Sequence, residues 1–498
     1  MRQKPSPVRP AQRLALAFLP PLAIYTLATW ISTTRVMSAP TSAPACPADA
    51  IKINPDASVQ DAVDAAQEGA VFCLKAGTYR LQQVIPKNGQ SFYSDGRVVF
   101  IGARKITTFE RDGELWVAVG QEQANARRGV CAKQFPTCNM PDVLFIDDRA
   151  LRRVLSKEEV TEGTYYFDHA GKRIYFANDP QSHVIEATVM NFAFAGPAAN
   201  VRIDGIVVEK YSTPAQRGAI NGSAGKNWTV SDVEARWNSG AGISVGPGGH
   251  VIRSKSHHNG QLGVNAFGGD IVIEENEVWN NNVYGFDPAW EAGGIKVALA
   301  DHVVLRNNRV YRNGGSGLWC DINCRNVVYE GNTIEFNDGP GIFYEISFEA
   351  VIRHNTLRYN GASGFRWVWN SEIQIAGSEH VQVYENHITV RPGGGSVMLI
   401  DQGRAPEGGF NRKYETRNNE VHNNWFLFEG DGRAGGASDR PPSDENYRII
   451  SDGKNFFDFN AYYKPKDSNL TFAWGHGQYV WSEFQKFGQE THGSITAY

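Results

Sequence analysis

The feature that most constrains this chain is a repeat of 23 to 24 residues between Gly293 and Asn360. Each copy begins with Gly and an aliphatic residue, continues with a short β-branched run, and closes with two Asn residues five positions apart. Repeats of this length, with strand-length apolar runs and no heptads, indicate stacked coils of β-strands. Identical Asn side chains on successive coils are then expected to hydrogen-bond along the stack. The two Asn columns are Asn308, Asn332 and Asn355, and Asn313, Asn337 and Asn360.

The aliphatic residue that opens each repeat can be followed through much of the chain. Two intervals measure 31 residues, because extra residues separate the second Asn from the next opening position. These insertions, NVYGFDPAWEAG at 282–293 and GASGFRWVWNS at 361–371, leave the same corner of the coil and are rich in aromatic residues. Insertions on one corner are typical of a binding face. The opening positions are Ile220, Ile243, Val264, Ile295, Leu318, Ile342, Ile373 and Val397.

The N-terminus and the cysteines indicate an exported protein. Residues 1–45 have the order of a secretory leader, with four basic residues, an apolar run from Leu14 to Ile31, and small residues after it. An uncleaved membrane anchor is the alternative, because the apolar run is 18 residues long. The rest of the chain is expected outside the cytoplasm, where disulfides form. The six cysteines then predict the bonds Cys46–Cys73, Cys131–Cys138 and Cys320–Cys324.

Local patterns divide the chain into five regions. Ser58 and Asp61 cap a short helix with an apolar stripe, which predicts that it covers the open end of the coils. A hairpin around His169 is predicted within a stretch that breaks the repeat, and a Gly- and Pro-rich linker predicts that the chain leaves the coils after residue 430. The regions are 1–45 (leader or anchor), 46–103 (N-terminal cap and first coils), 104–190 (β insertion), 191–430 (coils) and 431–498 (linker and C-terminal cap).

The capping helix, the sequence GAVFCLKAGTYR at 69–80 and the Asn-rich coils resemble the pectate-lyase-like right-handed parallel β-helix proteins of bacteria. The resemblance covers residues 55–103 and 190–425. It implies an all-β, right-handed parallel β-helix of about ten coils, with the N-terminal capping helix and a small β insertion. It also implies an outer face that acts on polysaccharides. Neither a lyase-type arginine set nor a polygalacturonase-type motif set is assembled, so no specificity is carried over.

Side chains alternate between the two faces of a strand, so the pattern predicts which side chains of each opening strand point away from the core. Asp321 and Glu345 then stack on adjacent coils, about 4.8 Å apart at the backbone, where mutual repulsion is expected to raise the pKa of one of them. Paired carboxylates are what hydrolysis of a glycosidic bond requires. We therefore predict that Asp321 and Glu345 are catalytic and that Lys296 tunes their charge.

Aromatic side chains beside the predicted acids are suited to stack on the C–H faces of sugar rings. Some belong to the outward positions of the strands, and others to the two insertions. The predicted substrate-binding residues are Trp319, Phe343, Gln374, Trp290, Arg366, Trp367 and Trp369.

Two other functions stay open from the sequence. In the polysaccharide lyases that the chain resembles, a basic residue abstracts the proton beside a uronate carboxylate, often with calcium. Here Lys296 would be the base, and Glu291 or Glu345 would offer oxygen ligands to calcium. A non-catalytic glycan-binding or adhesin-like solenoid would need the aromatic residues but not the acids. A glycan is the expected partner in each case, because the net charge of −4 argues against nucleic acid binding.

Overall fold

The computed structural model describes residues 46–124, 126–438 and 452–498. The predicted leader or anchor at 1–45 lies outside the described residues. Within the described ranges, no helix is both long enough and apolar enough to cross a membrane.

The parallel strands stack into three long sheets that make up most of the structure. Most coils contribute to all three, whereas the first coils contribute only to two of them. We number the sheets in the order in which a coil passes through them, beginning with the strand that carries the opening aliphatic residue. Sheet 1 contains Phe194–Ala195, Gly218–Gly222, Ala241–Val245, the first halves of Leu262–Glu274 and Gly293–Arg306, Ser316–Asp321, Ile342–Glu345, Ile373–Ala376, Val397–Ile400, Gly432–Ser438 and Leu470–Trp474, with Gly477–Tyr479 antiparallel to the last.

The other two sheets follow the same stacking. Sheet 2 contains Ile51–Ile53, the first halves of Val71–Arg80, Ser91–Ile101 and Arg202–Glu209, then Thr229–Ser231, His250–Ile252, the second halves of Leu262–Glu274 and Gly293–Arg306, Arg325–Glu330, Phe348–Arg353, Glu379–Tyr384, Glu420–His422 and Phe456–Asp458. Sheet 3 contains the second halves of Val71–Arg80, Ser91–Ile101 and Arg202–Glu209, then Glu234–Arg236, Lys255–His257, Glu277–Trp279, Arg309–Tyr311, Thr333–Glu335, Thr356–Arg358, His387–Val390, Trp425–Phe428, Ala461–Lys464 and Ser494–Ala497.

The predicted register of the coils is confirmed in sheet 1. Each opening aliphatic residue pairs with the next one, as Ile295 does with Leu318 and Leu318 with Ile342. All eight predicted positions lie in one continuous apolar core with at most 1% of their surface exposed. The burial of these stacked aliphatic columns is the main favourable contribution to the free energy of folding.

Both predicted Asn columns form continuous hydrogen-bonded ladders. In the first ladder the Asn308 side chain donates to Asn332 at 3.0 Å, and Asn332 donates to Asn355 at 2.9 Å. Each side-chain oxygen also accepts from the backbone N–H of the Asn before it. The ladders extend further than predicted, from Asn276 to Asn460 in the first and from Asn238 to Asn360 in the second.

A buried glutamate ends each ladder. Glu372 accepts from the backbone and side-chain nitrogens of Asn360 at 2.9 and 2.6 Å, and Glu490 accepts from the side chain of Asn460 at 2.7 Å. Burial raises the pKa of Glu372 to about 8 and that of Glu490 to about 7. A carboxyl group fits this position, because its two oxygens take the last N–H groups of the ladder.

Replacing Asn332 by Ala is expected to lower the free energy of unfolding by about 2–4 kcal/mol, because buried partners lose their bonds. Asn332 is 1% exposed and makes four hydrogen bonds, to Asn308 (twice), Leu305 and Asn355. Urea denaturation measures the change. Asn469→Ala is the control, because Asn469 is exposed, and it should leave the unfolding midpoint unchanged. Equal midpoints for the two variants would contradict a stabilising ladder.

The N-terminal end of the coils is covered by the helix Val59–Ala65, as predicted. Ser58 caps it by accepting from the backbone N–H of Asp61, and Val59 and Val63 are buried against the core. Three shorter helical segments are Pro288–Glu291, Trp481–Phe484 and the 3₁₀ turn Gln485–Phe487, and a further 3₁₀ turn spans Lys157–Glu159.

The stretch that breaks the repeat forms two small sheets. The predicted hairpin is present, with Tyr165 opposite Phe176. Buried Lys210 of the coils binds Glu186 and Asp148 of the insertion, which attaches the two parts. One sheet contains Ala103–Ile106, Ile185–Thr188, Leu144–Ile146 and Arg149–Ala150, and the other contains Glu110–Asp112, Leu115–Val119, Arg173–Phe176, Thr164–Asp168 and Arg152–Arg153.

The linker predicted to begin after residue 430 is wrong for its first residues. Gly432–Ser438 is a strand of sheet 1, and the coils continue beyond it to Ala497. Glycine is needed here because neighbouring strands approach closely. A Cβ on Gly436 would lie 1.9 Å from the carbonyl oxygen of Ala473. The rest of the predicted linker, residues 439–451, lies outside the described residues.

Two of the three predicted disulfides are present, Cys46–Cys73 and Cys131–Cys138. The third is not formed in this structure. Cys320 and Cys324 are buried thiols whose sulfurs lie 2.7 Å apart, whereas a disulfide closes at about 2.05 Å. Burial raises the pKa of the Cys320 thiol, which keeps it in the less reactive protonated form.

Candidate functional site

The predicted acids lie side by side on the outer face of sheet 1. Trp319 pairs with Phe343 across neighbouring strands, and Asp321 and Glu345 occupy the next outward position of the same strands. Lys296 pairs with Trp319 on the coil before. We call these five residues the acid cluster. All five are at most 8% exposed, so their charges interact with little screening by water.

Lys296 lies between two carboxylates. Its Nζ is 3.0 Å from Asp321 and 3.2 Å from Glu291, the last residue of the helix Pro288–Glu291, and it also lies 3.9 Å from the centre of the Trp319 ring. Burial opposes the charge of Lys296, but Glu291 and Asp321 outweigh it and raise the pKa of the lysine. Lys296 is therefore a protonated partner of both acids.

Glu345 has a different environment. Its Oε1 accepts from Arg404 at 3.1 Å and from Gln402 at 3.3 Å. Burial and the neighbouring charge of Asp321 raise the pKa of Glu345 to about 7, although Arg404, Gln402 and Lys296 act to lower it. Each acid thus contacts a cation, Asp321 at Lys296 and Glu345 at Arg404, but their surroundings differ. Burial beside Asp321 outweighs Arg404 and leaves Glu345 poised to carry a proton near neutral pH.

The residues that contact Glu345 belong to a long irregular segment, residues 401–416, which we call the roof loop. Arg404 also binds Glu407 at 2.5 Å. Asn323, two residues beyond Asp321, donates to the Glu407 carbonyl and accepts from the Tyr414 hydroxyl at 2.6 Å. The repeat pattern carries no signal for Gln402 and Arg404, because the roof loop lies outside the repeat, so both were missed from the sequence.

Both acids are followed by a residue in the left-handed backbone region. Ile322 has φ of 55° and Ile346 has φ of 39°, which are uncommon values for β-branched residues. The Ile346 N–H donates to Ala376 on the next coil, and its side chain packs with Phe348 and Tyr414. These contacts hold a turn that ends each strand directly after its carboxylate.

The predicted sugar-stacking residues of the second insertion pack onto sheet 1. Trp367 and Trp369 join one apolar cluster with Phe343, Met398 and Ile400. Gln374, also predicted to bind substrate, accepts from the backbone N–H of Asn370 at 2.9 Å. Arg366 is exposed, and its backbone pairs with Trp369. The structure therefore brings these residues to the downstream side of the acid cluster, where their rings are largely covered.

Trp290 is not brought into the cluster that holds Trp319 and Phe343. Its ring packs with Phe286, centroid to centroid 6.2 Å, and with the disulfide-bonded Cys131 and Cys138 of the insertion. Its neighbour Glu291 contacts Lys296, and Gln216 donates to Glu291 at 2.5 Å. Gln216 was missed because a lone glutamine before the repeats carries no distinguishing signal.

The proposed calcium ligands do not converge. Within the described residues, no three His, Cys, Asp or Glu side chains form a group that could hold a metal ion. Glu291 contacts Lys296 and Gln216, and Glu345 contacts Arg404 and Gln402.

Comparison with known proteins identifies the architecture. Residues 218–388 match the family described as the right handed beta helix region. The fold is a right-handed parallel β-helix. The expected resemblance to pectate-lyase-like proteins is thereby confirmed for the fold.

Solved β-helix structures align with most of the chain. The structure of XylC in complex with xylose has a TM-score of 0.66 at 15% identity, over 88% of this chain and 82% of XylC. A glycoside hydrolase has a TM-score of 0.51 at 11% identity, over 77% of this chain and 96% of its own. The A-module of a mannuronan C-5 epimerase from Azotobacter vinelandii has a TM-score of 0.47 at 15% identity, over 88% of this chain and 91% of its own. No curated protein matches the chain in sequence.

Proposed function

We propose that this β-helix hydrolyses a glycosidic bond at the acid cluster. The observation that carries the proposal is the pairing of two buried carboxyl groups in unequal surroundings, with Asp321 bound to Lys296 at 3.0 Å and the pKa of Glu345 raised to about 7. Hydrolysis needs one carboxyl group that donates a proton and one that stays ionised. The likeness to the xylose complex of XylC and to a glycoside hydrolase supports this choice.

The two acids take separate roles in this proposal. Glu345 protonates the oxygen of the leaving sugar while a carboxylate oxygen of Asp321 attacks the anomeric carbon, which breaks the glycosidic bond and forms a glycosyl-enzyme. Glu345 then takes a proton from a water molecule, which attacks the anomeric carbon and releases the sugar and Asp321. Backbones about 4.8 Å apart put the carboxyl groups near the ~5–5.5 Å separation of retaining enzymes, so we expect retention. Proton NMR of the first product anomer tests this point, and an initially inverted anomer would contradict it.

Two buried polar atoms without hydrogen-bond partners support a sugar as the ligand. The indole nitrogen of Trp319 and the amide oxygen of Gln402 are buried and have no hydrogen-bond partner among the described residues. One is a donor and the other is an acceptor. A sugar hydroxyl can both donate and accept, which suits such a pair.

Elimination at a uronate is the second candidate, and the surroundings of Lys296 disfavour it. A base must be unprotonated, whereas Glu291 and Asp321 raise the pKa of Lys296. Elimination leaves an unsaturated sugar that absorbs in the ultraviolet, and hydrolysis does not. Incubation with neutral and uronate polysaccharides, followed by reducing-sugar and absorbance assays, decides between them. A chelator-sensitive absorbing product would overturn hydrolysis.

Binding without cleavage is the third candidate. The Asp321→Asn variant separates it from catalysis, because a binding protein would keep its glycan affinity and the native protein would release no product. Export is also part of the proposal, and it is supported by the two disulfides at Cys46–Cys73 and Cys131–Cys138. Fractionation of cells that express the full chain tests it.

The rate of cleavage is expected to fall as the pH rises through about 7, because Glu345 must carry a proton to act as the acid. Arg404 lowers the pKa of Glu345, so Arg404→Gln should raise that pKa and move the alkaline limb of kcat/KM to higher pH. Arg412→Gln is the control, since Arg412 lies on the same loop but binds Glu379. A limb that moves to lower pH in Arg404→Gln would contradict these roles.

A further inference from the structure

The outer face of sheet 1 is covered over four strands from Ser316–Asp321 onward, unlike those of the other two sheets on the same coils. Every residue of four consecutive strands is buried, namely Ser316–Asp321, Ile342–Glu345, Ile373–Ala376 and Val397–Ile400. Strands of sheets 2 and 3 on the same coils alternate between buried and accessible residues, as in Arg325–Glu330 and Thr356–Arg358. A long glycan therefore has no open groove to follow over these four coils of sheet 1.

The insertion at residues 361–371 covers the downstream coils. The side chains of Phe365, Trp367 and Trp369 pack with Met398 and Ile400 of one later coil and with Ala473 of another. The indole nitrogen of Trp367 donates to Ser438 at 3.0 Å. This segment closes the face of sheet 1 immediately after Phe343.

The outward residues Asn265, Phe267 and Ala298 of the upstream coils stay partly accessible, and Gln216 covers only part of this side. It donates through its side chain to Glu291, and its carbonyl oxygen accepts from Asn265 at 3.0 Å, on the coil before Lys296. Arg128 of the β insertion donates to the Gln216 side chain at 2.9 Å. The disulfide loop beyond Arg128 is anchored by the Ala132 N–H, which donates to Gly285 at 3.0 Å.

The acid cluster keeps a small opening between these covers. The side chains of Asp321 and Glu345 are 10% and 9% exposed, whereas the outward residues Ala376, Met398 and Ile400 on the next coils are fully buried. The roof loop adds a third wall through Arg404. What reaches the acids must enter from solvent and cannot continue along the downstream coils.

The charges around the opening are paired within the protein. Lys296 contacts Glu291 and Asp321, and Arg404 contacts Glu345 and Glu407. Neither cation is left for the carboxylate of a uronate, which would also meet Asp321 at short range. This arrangement favours a sugar without charge.

We infer that the site takes the end of a neutral glycan chain and releases small units from it, and that residues 361–371 impose this mode by closing the downstream side. The inference rests on the proposed hydrolysis. It assigns residues 361–371 to substrate selection, because they close the face of sheet 1 on the downstream side of the acid cluster. The β insertion narrows the upstream side through Arg128 and Gln216.

The test uses the full chain with hexasaccharides of xylan, mannan, glucan and galactan, each labelled at the reducing end, beside hexasaccharides of polygalacturonate and alginate. We expect one of the neutral hexasaccharides to be shortened by one unit at a time from one end. A mixture of all internal lengths at the earliest time point would support hydrolysis and overturn the chain-end mode. Preferential cleavage of a uronate series would overturn the neutral substrate.

A binding series separates failure of the inference from failure of the proposed function. With Asp321→Asn, affinity for a chain-end site should stop rising beyond about two or three sugar units, because a closed pocket holds few rings. Saturating affinity without any cleavage by the native protein would keep the closed site and reject hydrolysis. Affinity that grows to the hexasaccharide, or no binding to any of the six series, would overturn the inference.

A variant in the downstream cover gives an independent test through the lengths of the cleavage products. Trp367→Ala should open the downstream side and add internal cleavage products. Trp425→Ala is the matched control, because Trp425 is a partly buried tryptophan on sheet 3 that packs with Tyr463, far from these covers. Identical product patterns for the two variants would show that residues 361–371 do not restrict cleavage to the chain end.

Discussion

Glu345→Gln is expected to lower kcat for a natural glycoside by about 10²–10⁴-fold, because the variant cannot protonate the departing sugar oxygen. The loss should be much smaller for a dinitrophenyl glycoside, whose leaving group needs no proton. Asp321→Asn should be inactive on both substrates, since its role does not depend on the leaving group. Steady-state kinetics on a natural and an activated glycoside measure this contrast.

Glu335→Gln is the control for Glu345→Gln. Glu335 is also a buried glutamate bound to an arginine, Arg358, but it lies on sheet 3. Its replacement should leave kcat unchanged on both substrates. Glu345→Gln with native activity on the natural glycoside would show that the acid is another residue.

Lys296→Met is expected to lower the free energy of unfolding by about 3–5 kcal/mol, because it leaves Glu291 and Asp321 buried without their shared cation. Catalysis should fall as well, since the charge that balances Asp321 is lost. Urea denaturation followed by circular dichroism measures the first effect, and the same kinetic assays measure the second.

Two further variants interpret the Lys296→Met result. The double variant with Glu291→Gln removes one unpaired carboxylate and should recover part of the stability. Lys172→Met breaks an exposed pair with Glu122 and should leave the unfolding midpoint unchanged. A native midpoint for Lys296→Met would mean that the buried triad does not stabilise the fold.

The repeat predicts the coils well because each coil must satisfy the same two requirements. The opening aliphatic residue fills the core, and the Asn residues bond to their copies on the next coil. Both requirements leave a periodic trace in the sequence, so the pairing of Ile295 with Leu318 is predictable from the residue spacing alone. The strand at Gly432–Ser438 has no such trace, because close packing selects glycine there and glycine also marks linkers.

Strand alternation placed Asp321 and Glu345 on one face, and the structure shows them there. Their partners Arg404 and Gln402 could not be predicted, because the roof loop returns from outside the period. The same limit applies to the covered rings of Trp367 and Trp369. Alternation predicts the face of a strand to which a side chain points, but it does not predict which other segments pack against that face.

The hydrogen-bond ladders have a direction, and this bears on how such a chain can change in length. Every Asn in a ladder accepts from the coil before it and donates to the coil after it, as Asn332 does between Asn308 and Asn355. Duplication of one whole coil inside the ladder would keep every donor matched to an acceptor. A coil added after Glu490 would lack the amide N–H₂ group that continues the ladder, because a carboxyl group stands in its place. Each glutamate therefore ends its own ladder, and a duplicated coil lengthens a ladder without a mismatch only before the glutamate that ends it.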